Sequence, residues 1–376
     1  MILTVTPNPS LDKTVELPAP LAVGQVQRAA SQRAEPGGKG VNISRALTAA
    51  GERTLALLPG DPTDPVLTAL SELGVPHRGL PVGEALRTNI AVTDPAGITT
   101  KINERGPQLD DAAMAGFQEM ILRTVQGASW LALAGSLPPG APADFYAQLI
   151  TALRENSGLG QNDAGRSGSS TGADADTDAS AQSPAPLVAV DASGEALAAA
   201  AAAGPDLIKP NAEELLELHA ALCGTETSGT PRAAGVGTPS VTPEELEADH
   251  ALVLRLVRDC QAHGVRAALV TLGAHGALLV PAPGSVPGSG ETGPVLTASG
   301  PPLVVRSTVG AGDASLAGYL SAAARGADPE ERLRHAMAQG RAAASLPGST
   351  MPGPHDLRLG DVTVAEITPE TKDTTS

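Results

Sequence analysis

Residues 307–318 carry the sequence STVGAGDASLAG, which places two glycines and an acid between a predicted strand and a predicted helix. The apolar residues at 302–306 predict the strand, and the small and apolar residues of 312–325 predict the helix. Gly310 and Gly312 tolerate backbone angles that other residues resist, so several amides can point at one ligand near the helix N-terminus. Asp313 stands at the rim of this anion hole. An acid there indicates proton abstraction from an acceptor, while the amides stabilise a transferred phosphoryl group.

The composition of the chain limits the classes to which it can belong. With 376 residues, of which 41% are hydrophobic, the chain is long enough for one large or two modest domains. A net charge of −16 argues against a nucleic-acid partner, which would need a basic surface. No run approaches the roughly 18 apolar residues that span a bilayer, and the first residues predict a strand and no signal peptide. The sequence therefore predicts a protein with no membrane partner and a cytoplasmic location.

Short apolar segments alternate with helix-length segments along most of the chain. Strands are predicted at residues 2–6, 53–58, 128–134, 187–191, 206–208, 267–271, 276–280 and 302–306. Helices are predicted at residues 39–50, 64–73, 142–154, 193–203, 211–222, 243–263, 312–325 and 329–346. This alternation predicts an α/β fold with a mostly parallel central sheet, whose active site lies beyond the carboxyl ends of the strands.

Four segments break the alternation, because they look like strands with no helices between them. They lie at residues 13–17, 26–33, 87–94 and 98–103, and the sequence DPAG at 94–97 is typical of a hairpin turn. We interpret them as a small β-sheet lid formed from about residues 13–33 and 87–104. An edge extension of the main sheet is the alternative.

Several segments have the composition of insertions or tails. Residues 156–186 are almost all small or polar, and they cannot bury enough surface to offset the entropy of ordering, so they are predicted to be disordered. Residues 224–242 and 281–300 are milder versions, and residues 352–376 are predicted to form a loose tail. None of these segments divides the chain, so residues 1–350 are predicted to form a single domain.

Two motifs in the N-terminal part predict a ligand site. A GGKG sequence at 37–40 and Asn42 stand at the start of a predicted helix, where Lys39 and Asn42 suit an anionic or polyhydroxyl ligand. A glycine-rich turn that only caps the helix explains the same residues equally well. Asp12 follows the first strand and can accept hydrogen bonds from two sugar hydroxyl groups, although a lone aspartate is more often a turn or cap residue.

Further candidates follow later strands. Lys209 ends a predicted strand, and Asn211 and Glu214 lie three residues apart at the start of the next helix. Their oxygens suit a hydrated Mg²⁺ beside phosphates, and Lys209 could face a nucleotide phosphate. An ordinary capped helix start is the alternative. The loops at 134–140 and 271–276 also follow strands, but each alone predicts only a tight turn.

Taken together and in this order, the motifs resemble those of the ribokinase-like sugar kinases of the phosphofructokinase-B family. The resemblance runs from residue 1 to about 350 and includes the GGKG sequence, the loop at 135–138, residues 209–214 and the TVGAGD sequence at 308–313. It is most similar to the branch of 1-phosphofructokinases and tagatose-6-phosphate kinases, whose opening and lid look like residues 6–12 and 100–107. The resemblance implies a ribokinase-like three-layer fold with a small β-sheet lid, and ATP and Mg²⁺ as cofactors.

The resemblance also implies roles for individual residues. Asp313 takes the proton from the attacking hydroxyl group, and Gly310, Ala311 and Gly312 form the turn that holds the transferred phosphoryl group. The sugar phosphate is bound by Asp12, Gly38, Lys39, Asn42, Arg87, Lys101 and Ser136. ATP is bound by Lys209, Asn211, Thr271, Gly273 and Gly276. The metal is bound by Glu214 and, through water, by Asn211.

The cations near the expected acceptor favour a substrate that already carries phosphate. Lys39, Arg87 and Lys101 can supply that charge, although they could equally be solvated charges of the lid. We therefore expect ATP-dependent phosphorylation of fructose 1-phosphate to fructose 1,6-bisphosphate. Tagatose 6-phosphate is the main alternative acceptor, and a kinase of an unphosphorylated sugar or a non-catalytic sugar-phosphate sensor is less favoured. The exposed lid also predicts a homodimer.

Overall fold

The structure is a computed structural model, and it describes residues 1–156, 185–224, 241–284 and 293–367. Most of the insertion at 156–186, and parts of the segments at 224–242, 281–300 and 352–376, lie outside the described residues. The predicted disorder of the first insertion therefore stays a prediction.

Strands and helices alternate through most of the described chain. The strands are β1 (Ile2–Val5), β2 (Ser10–Glu16), β3 (Ser31–Gly37), β4 (Thr54–Pro59), β5 (His77–Leu80), β6 (Arg87–Thr93), β7 (Thr99–Asn103), β8 (Trp130–Ala134), β9 (Leu187–Asp191), β10 (Leu207–Ile208), β11 (Ala267–Thr271), β12 (Ala277–Val280), β13 (Leu296–Ser299) and β14 (Thr363–Glu366). The helices are α1 (Lys39–Ala49), α2 (Pro65–Glu72), α3 (Asp111–Thr124), α4 (Phe145–Asn156), α5 (Gly194–Ala202), α6 (Ala212–Cys223), α7 (Pro243–Ala248), α8 (His250–Gln261), α9 (Ala311–Ala324) and α10 (Pro329–Ser345).

The main sheet is mostly parallel, as predicted. Its order is β14-β13-β12-β11-β10-β9-β8-β1-β4-β5. The strands from β11 to β5 run parallel to their neighbours, and in this part Leu3 of β1 lies between Leu55 and Leu131. The strands β12, β13 and β14 add an antiparallel edge. Because parallel strands share one direction, their carboxyl ends all open on the same side of the molecule.

Helices cover both faces of this sheet, which gives three layers. Side chains along a strand alternate between the faces, so Leu131 and Leu133 of β8 enter the core under α3 to α8. Trp130 and Ala132 enter the opposite core under α1, α9 and α10. There Trp130 contacts Tyr319 of α9 edge to face, with 6.2 Å between ring centroids. The two cores fix α1 and α9 against the strands that carry the site.

Four strands form a separate small sheet, which confirms that the irregular segments do not extend the main sheet. The order is β3-β2-β6-β7, with β2 and β6 parallel and the other pairs antiparallel. The strand predicted at 26–33 lies instead at Ser31–Gly37. The side chain of Gln27 accepts a hydrogen bond from the amide of Ala22 and donates to the carbonyl of Pro20, which closes a turn that includes the first residues of the predicted strand.

The strand predicted at 302–306 is wrong. Leu303, Val304 and Val305 lie outside any strand and are 36%, 84% and 56% exposed. The position in the sheet is taken by β13, in which Leu296 and Ala298 are buried. An apolar run can join a sheet only where a neighbouring strand has a free edge. Here β13 already pairs with the edge of β12, and β14 pairs with the edge of β13.

Other boundaries also differ from the predictions. The single helix predicted at 243–263 is two helices, because Asp249 leaves the helical conformation and caps α8 by accepting a hydrogen bond from the amide of Leu252. Residues 363–366 of the predicted loose tail pair with β13 as an edge strand, so the tail prediction is wrong for this part. The elements β5, β13, β14 and α3 were not predicted from the sequence. Within the described ranges, no helix is both long enough and apolar enough to cross a bilayer.

Candidate active site

The candidate site lies where the carboxyl ends of the central strands meet the N-termini of α1, α6 and α9. A cavity of about 1110 Å³ opens there. All five residues predicted to bind ATP line it: Lys209, Asn211, Thr271, Gly273 and Gly276. Ala311, Gly312 and Asp313 of the predicted catalytic turn line the same cavity. The structure thus brings two separately predicted sets of residues to one place.

The N-terminus of α9 opens towards this cavity. Gly310 precedes the helix with a φ of 77°, in the left-handed region that favours glycine, and no side chain caps the helix. A Cβ atom at Gly310 would lie 2.7 Å from Cε of Met351. The first amides of α9 are therefore free of a capping side chain and can bind an anion.

Asp313 lies in the first turn of α9 and is only 8% exposed. Nδ2 of Asn42 donates a hydrogen bond to Oδ2 of Asp313 over 2.8 Å. Burial and the neighbouring carboxylate of Asp191 raise the pKa of Asp313 to about 6, against the opposing effects of Asn42, Lys39 and Lys209. A carboxylate with such a pKa is a stronger base than an exposed one and is still ionised at neutral pH.

Asp191 at the end of β9 organises two lysines behind Asp313. Oδ1 of Asp191 accepts a hydrogen bond from Nζ of Lys39 over 2.8 Å, and Oδ2 lies 3.2 Å from Nζ of Lys209. Burial opposes the ionised form of Asp191, but Lys209 and Lys39 hold its pKa below the ordinary value. Asp191 was not among the site residues predicted from the sequence. The strand sequence LVAVD, which ends in an acid at the carboxyl edge of the sheet, was the available indication.

Lys39 is engaged by carboxylates on both sides. Besides Asp191, Nζ of Lys39 donates to Oε1 of Glu214 over 2.8 Å. Burial opposes the charged form, but Asp191 and Glu214 outweigh it and raise the pKa of Lys39 above the ordinary value. Lys39 was predicted from the sequence to bind the phosphate of the sugar. The structure places it instead in the cavity lined by the predicted ATP-binding residues.

Asn211 and Glu214 form the capping box that the sequence analysis weighed as the alternative to a metal site. Oδ1 of Asn211 accepts from the amide of Glu214, and Oε2 of Glu214 accepts from the amide of Asn211. The described residues contain no cluster of three or more acids, histidines or cysteines able to hold a metal ion. Both carboxylate oxygens of Glu214 already accept a hydrogen bond, so the site fits a hydrated Mg²⁺ that is bound mainly by phosphates, and does not form a cage of its own.

A second polar region lies between the small sheet and the main sheet. Oδ1 of Asp12 accepts hydrogen bonds from Oγ of Ser10 and Nδ2 of Asn89, over 2.7 and 3.0 Å. A Cβ atom at Gly37 would lie 2.2 Å from Oδ2 of Asp12, so only glycine leaves room for this carboxylate. Gly38, at the N-cap of α1, has a φ of 109° and approaches Thr6 and Pro9 closely.

Several polar atoms around Asp12 are buried without a hydrogen-bond partner among the described residues. They are Oδ1 of Asn8, Oδ1 of Asn89 and Nε of Arg87. Nη1 of Arg87 donates to the carbonyl of Glu104, and burial lowers the pKa of Arg87 against the charge of Asp12. Because buried polar groups are normally paired, this region is suited to a ligand with hydroxyl groups and negative charge.

The last two predicted substrate residues lie at the border of this region. Nδ2 of Asn8 is 3.5 Å from Oγ of Ser136, which is exposed. Lys101 on β7 is also exposed and pairs with Ala91, two residues from Asn89, so it shares the face of the small sheet that carries Asp12. The structure thus groups Asp12, Arg87 and Ser136, with Lys101 further out on the same face.

Comparisons with known proteins identify relatives of this chain. The model for the pfkB family of carbohydrate kinases matches residues 8–356. A 1-phosphofructokinase of Rhodobacter capsulatus is 31% identical over 364 residues, which cover 95% of this chain and 94% of that protein. The crystal structure of phosphofructokinase-2 from Escherichia coli in complex with potassium has a TM-score of 0.70 and 26% identity, over 94% of this chain and 96% of that one. Its complex with fructose-6-phosphate has a TM-score of 0.68 and 25% identity, over the same shares of the two chains.

Proposed function

Because the chain belongs to the pfkB family of carbohydrate kinases, we propose that it transfers a phosphoryl group from ATP to fructose 1-phosphate. The product is fructose 1,6-bisphosphate. The observation that carries the proposal is Asp313, a buried carboxylate with a raised pKa at the open N-terminus of α9. The relative from R. capsulatus, named a 1-phosphofructokinase, supports this choice of acceptor.

The residues of the cavity act mainly by position and charge. Asp313 takes the proton of the attacking hydroxyl group, and the amides of the turn at Gly310, Ala311 and Gly312, which no side chain caps, stabilise charge on the transferred phosphoryl group. Lys209, held by Asp191, lies close to Gly312 and adds positive charge to the same place. ATP bound along the cavity supplies the phosphoryl group. Mg²⁺, held by Glu214 and through water by Asn211, would offset charge on its phosphates.

The acceptor binds between the small sheet and the main sheet. Asp12 accepts hydrogen bonds from the sugar hydroxyl groups, and Asn42 donates to them. Gly38 allows the sugar to approach the backbone. Arg87, with Lys101 at the border of the region, binds the phosphate that the acceptor already carries. In this arrangement the small sheet acts as the lid of the site and excludes water from the transfer.

Three other acceptors are consistent with parts of the site. Fructose 6-phosphate is supported by the related E. coli enzyme, whose complex with that sugar has been solved. Tagatose 6-phosphate remains the alternative from the sequence, because it presents the same groups. An unphosphorylated sugar would leave Arg87 without a phosphate, and a non-catalytic sensor would not need a buried base at Asp313.

A substrate panel tests the proposal. ADP formation should be measured with fructose 1-phosphate, fructose 6-phosphate, tagatose 6-phosphate and ribose, each at matched concentration with ATP and Mg²⁺. We expect the highest kcat/KM with fructose 1-phosphate. Turnover with ribose alone would refute the assignment, and turnover with none of the four would favour the sensor.

Exposed apolar residues of the small sheet also support a homodimer. The face opposite Asp12 carries Ile90, Val92 and Ile102, of which Ile102 is 58% exposed. In the loop between β2 and β3, Val23 and Val26 are 93% and 95% exposed. Such apolar surface on a monomer marks an interface, and we assign it to a second copy of the chain. The cytoplasmic location predicted from the sequence belongs to the same proposal.

A further inference from the structure

A line of buried polar contacts connects the small sheet to Asp313. On α1, Arg45 lies three residues after Asn42, and their side chains are on the same face of the helix. Nη1 of Arg45 donates to Oδ1 of Asn42 over 3.2 Å and to the carbonyl of Pro36 over 3.0 Å. Nδ2 of Asn42 then donates to Asp313. Arg45 is only 7% exposed and does not line the cavity.

The donors and acceptors in this line fit in one orientation only. A guanidinium group can only donate hydrogen bonds, so the atom of Asn42 that faces Arg45 must be the carbonyl oxygen. The amino group of Asn42 must then face Asp313, where it stabilises the ionised carboxylate. Were the amide turned over, two donors would meet at Arg45 and two acceptors would meet at Asp313.

Arg45 is itself held by the small sheet. Nη2 of Arg45 donates to Oε1 of Glu35 on β3 over 3.1 Å, and Oε2 of Glu35 accepts from Oγ of Ser349 over 2.9 Å. Glu35 pairs across the sheet with Asp12, the proposed sugar ligand. A group on the sheet that covers the acceptor thus fixes the guanidinium group that orients Asn42.

We propose that Arg45 is a positioning residue, which holds the amide of Asn42 so that it donates to Asp313, and that Glu35 makes this hold depend on the small sheet. The inference rests on the proposed role of Asp313 as the base. Arg45 does not line the cavity proposed for ATP. It acts through Asn42, and its removal therefore affects the protonation of the base more than the binding of ATP.

The test compares the pH profile of kcat for the parent and Arg45→Gln. Without the guanidinium group the amide of Asn42 is free to turn over, and Asp313 loses its fixed donor. We expect kcat to fall about tenfold to a hundredfold, with the KM for ATP little changed. The acid limb of the profile should move to higher pH. The other groups that face Asp313, namely Asp191 at the end of β9, Lys39 of α1 and Lys209 after β10, remain in place.

Two variants separate this effect from a loss of folding. Arg45→Lys keeps a cation that can donate to Asn42 or Glu35. Compared with Arg45→Gln, it should retain more of kcat and keep the acid limb at the pH of the parent. Glu35→Gln keeps the length of the side chain, and it should move the limb in the same direction by a smaller amount. Arg325→Gln is the matched control, because Arg325 pairs with Glu52 far from the cavity. It should keep the parent profile.

The outcomes distinguish the inference from the proposed function. If Arg45→Gln loses kcat equally at every pH and Arg45→Lys behaves like it, Arg45 is only structural and the inference is wrong. If Arg45→Gln does not fold, Glu35→Gln provides the test. An acid limb at the same pH as in the parent would then overturn the inference. If Asp313→Asn turns over like the parent, the role of the base fails. If Asp313→Asn is inactive but the acid limb does not move in Arg45→Gln and Glu35→Gln, the inference is wrong and the proposed role of Asp313 stands.

Discussion

At the scale of single residues, the proposed role of Asp313 as the base predicts the pH dependence of the reaction. The base is active when ionised, and burial with the nearby charge of Asp191 raises its pKa to about 6. We expect kcat to be level above neutral pH and to fall as the pH drops through about 6. Steady-state rates between pH 5 and 9 measure this, and a limb near the ordinary value of an exposed aspartate would contradict it.

Removal of the charge of Asp313 should separate catalysis from binding and folding. We expect Asp313→Asn to lower kcat by ~10²–10⁴-fold, with the affinity for the sugar phosphate largely retained. Because the pKa of Asp313 is raised in the folded state, its ionisation lowers the free energy of unfolding at neutral pH. This cost disappears when the pH falls below the pKa of the same group in the unfolded chain. The variant should therefore melt at a higher temperature than the parent at pH 8. Equal melting temperatures would mean that the ionised group is not disfavoured.

At the scale of elements, the start of α9 depends on a left-handed residue. We expect Gly310→Ala to cost about 1–2 kcal/mol in stability because of its φ of 77°, and to lower kcat about tenfold because the turn must shift against Met351. Gly326→Ala is a matched control. Its φ is 78°, and a Cβ atom there would meet nothing within 4 Å. It should lose similar stability and keep kcat, as measured by chemical unfolding and initial rates.

Elements also show where sequence patterns are sufficient. Strands such as β1, β8 and β11 were predicted because they are short apolar runs, and their burial confirms it. Helix α3 was missed although Met114, Phe117 and Ile121 are spaced for one buried face and Asp110 caps it. The exposed run at Leu303–Val305 was wrongly predicted as a strand, since periodicity does not tell which edge of the sheet is free.

At the scale of the whole molecule, the small sheet should mediate self-association. We expect the parent to sediment as a dimer and Ile102→Lys to weaken association about tenfold or more, because a charge would be buried at the interface. Leu73→Lys is the matched control, since Leu73 is 53% exposed at the end of α2, outside the small sheet. It should leave the sedimentation unchanged. A monomeric parent would refute the interface.

The site illustrates what a sequence can and cannot predict about a whole molecule. Ordered motifs were sufficient to predict that Thr271, Lys209 and Asp313 belong to one site, and all three line the same cavity. The ion pair between Asp191 and Lys39 joins residues that are more than a hundred positions apart in the sequence, and no local pattern predicts it. The chemistry of a motif can be predicted from its residues, whereas the partners of a charged side chain depend on the packing of distant elements.

The strand order has a consequence for how the chain folds during synthesis. From β8 to β14 each strand lies beside the one made just before it, so the sheet can grow outward at one edge as the chain leaves the ribosome. Among the residues that the structure describes, the last strand to emerge is β14, which covers the edge of β13. Until residues 363–366 are released, a nascent chain that already carries every proposed catalytic residue still exposes the edge of β13 to its neighbours on the same messenger RNA.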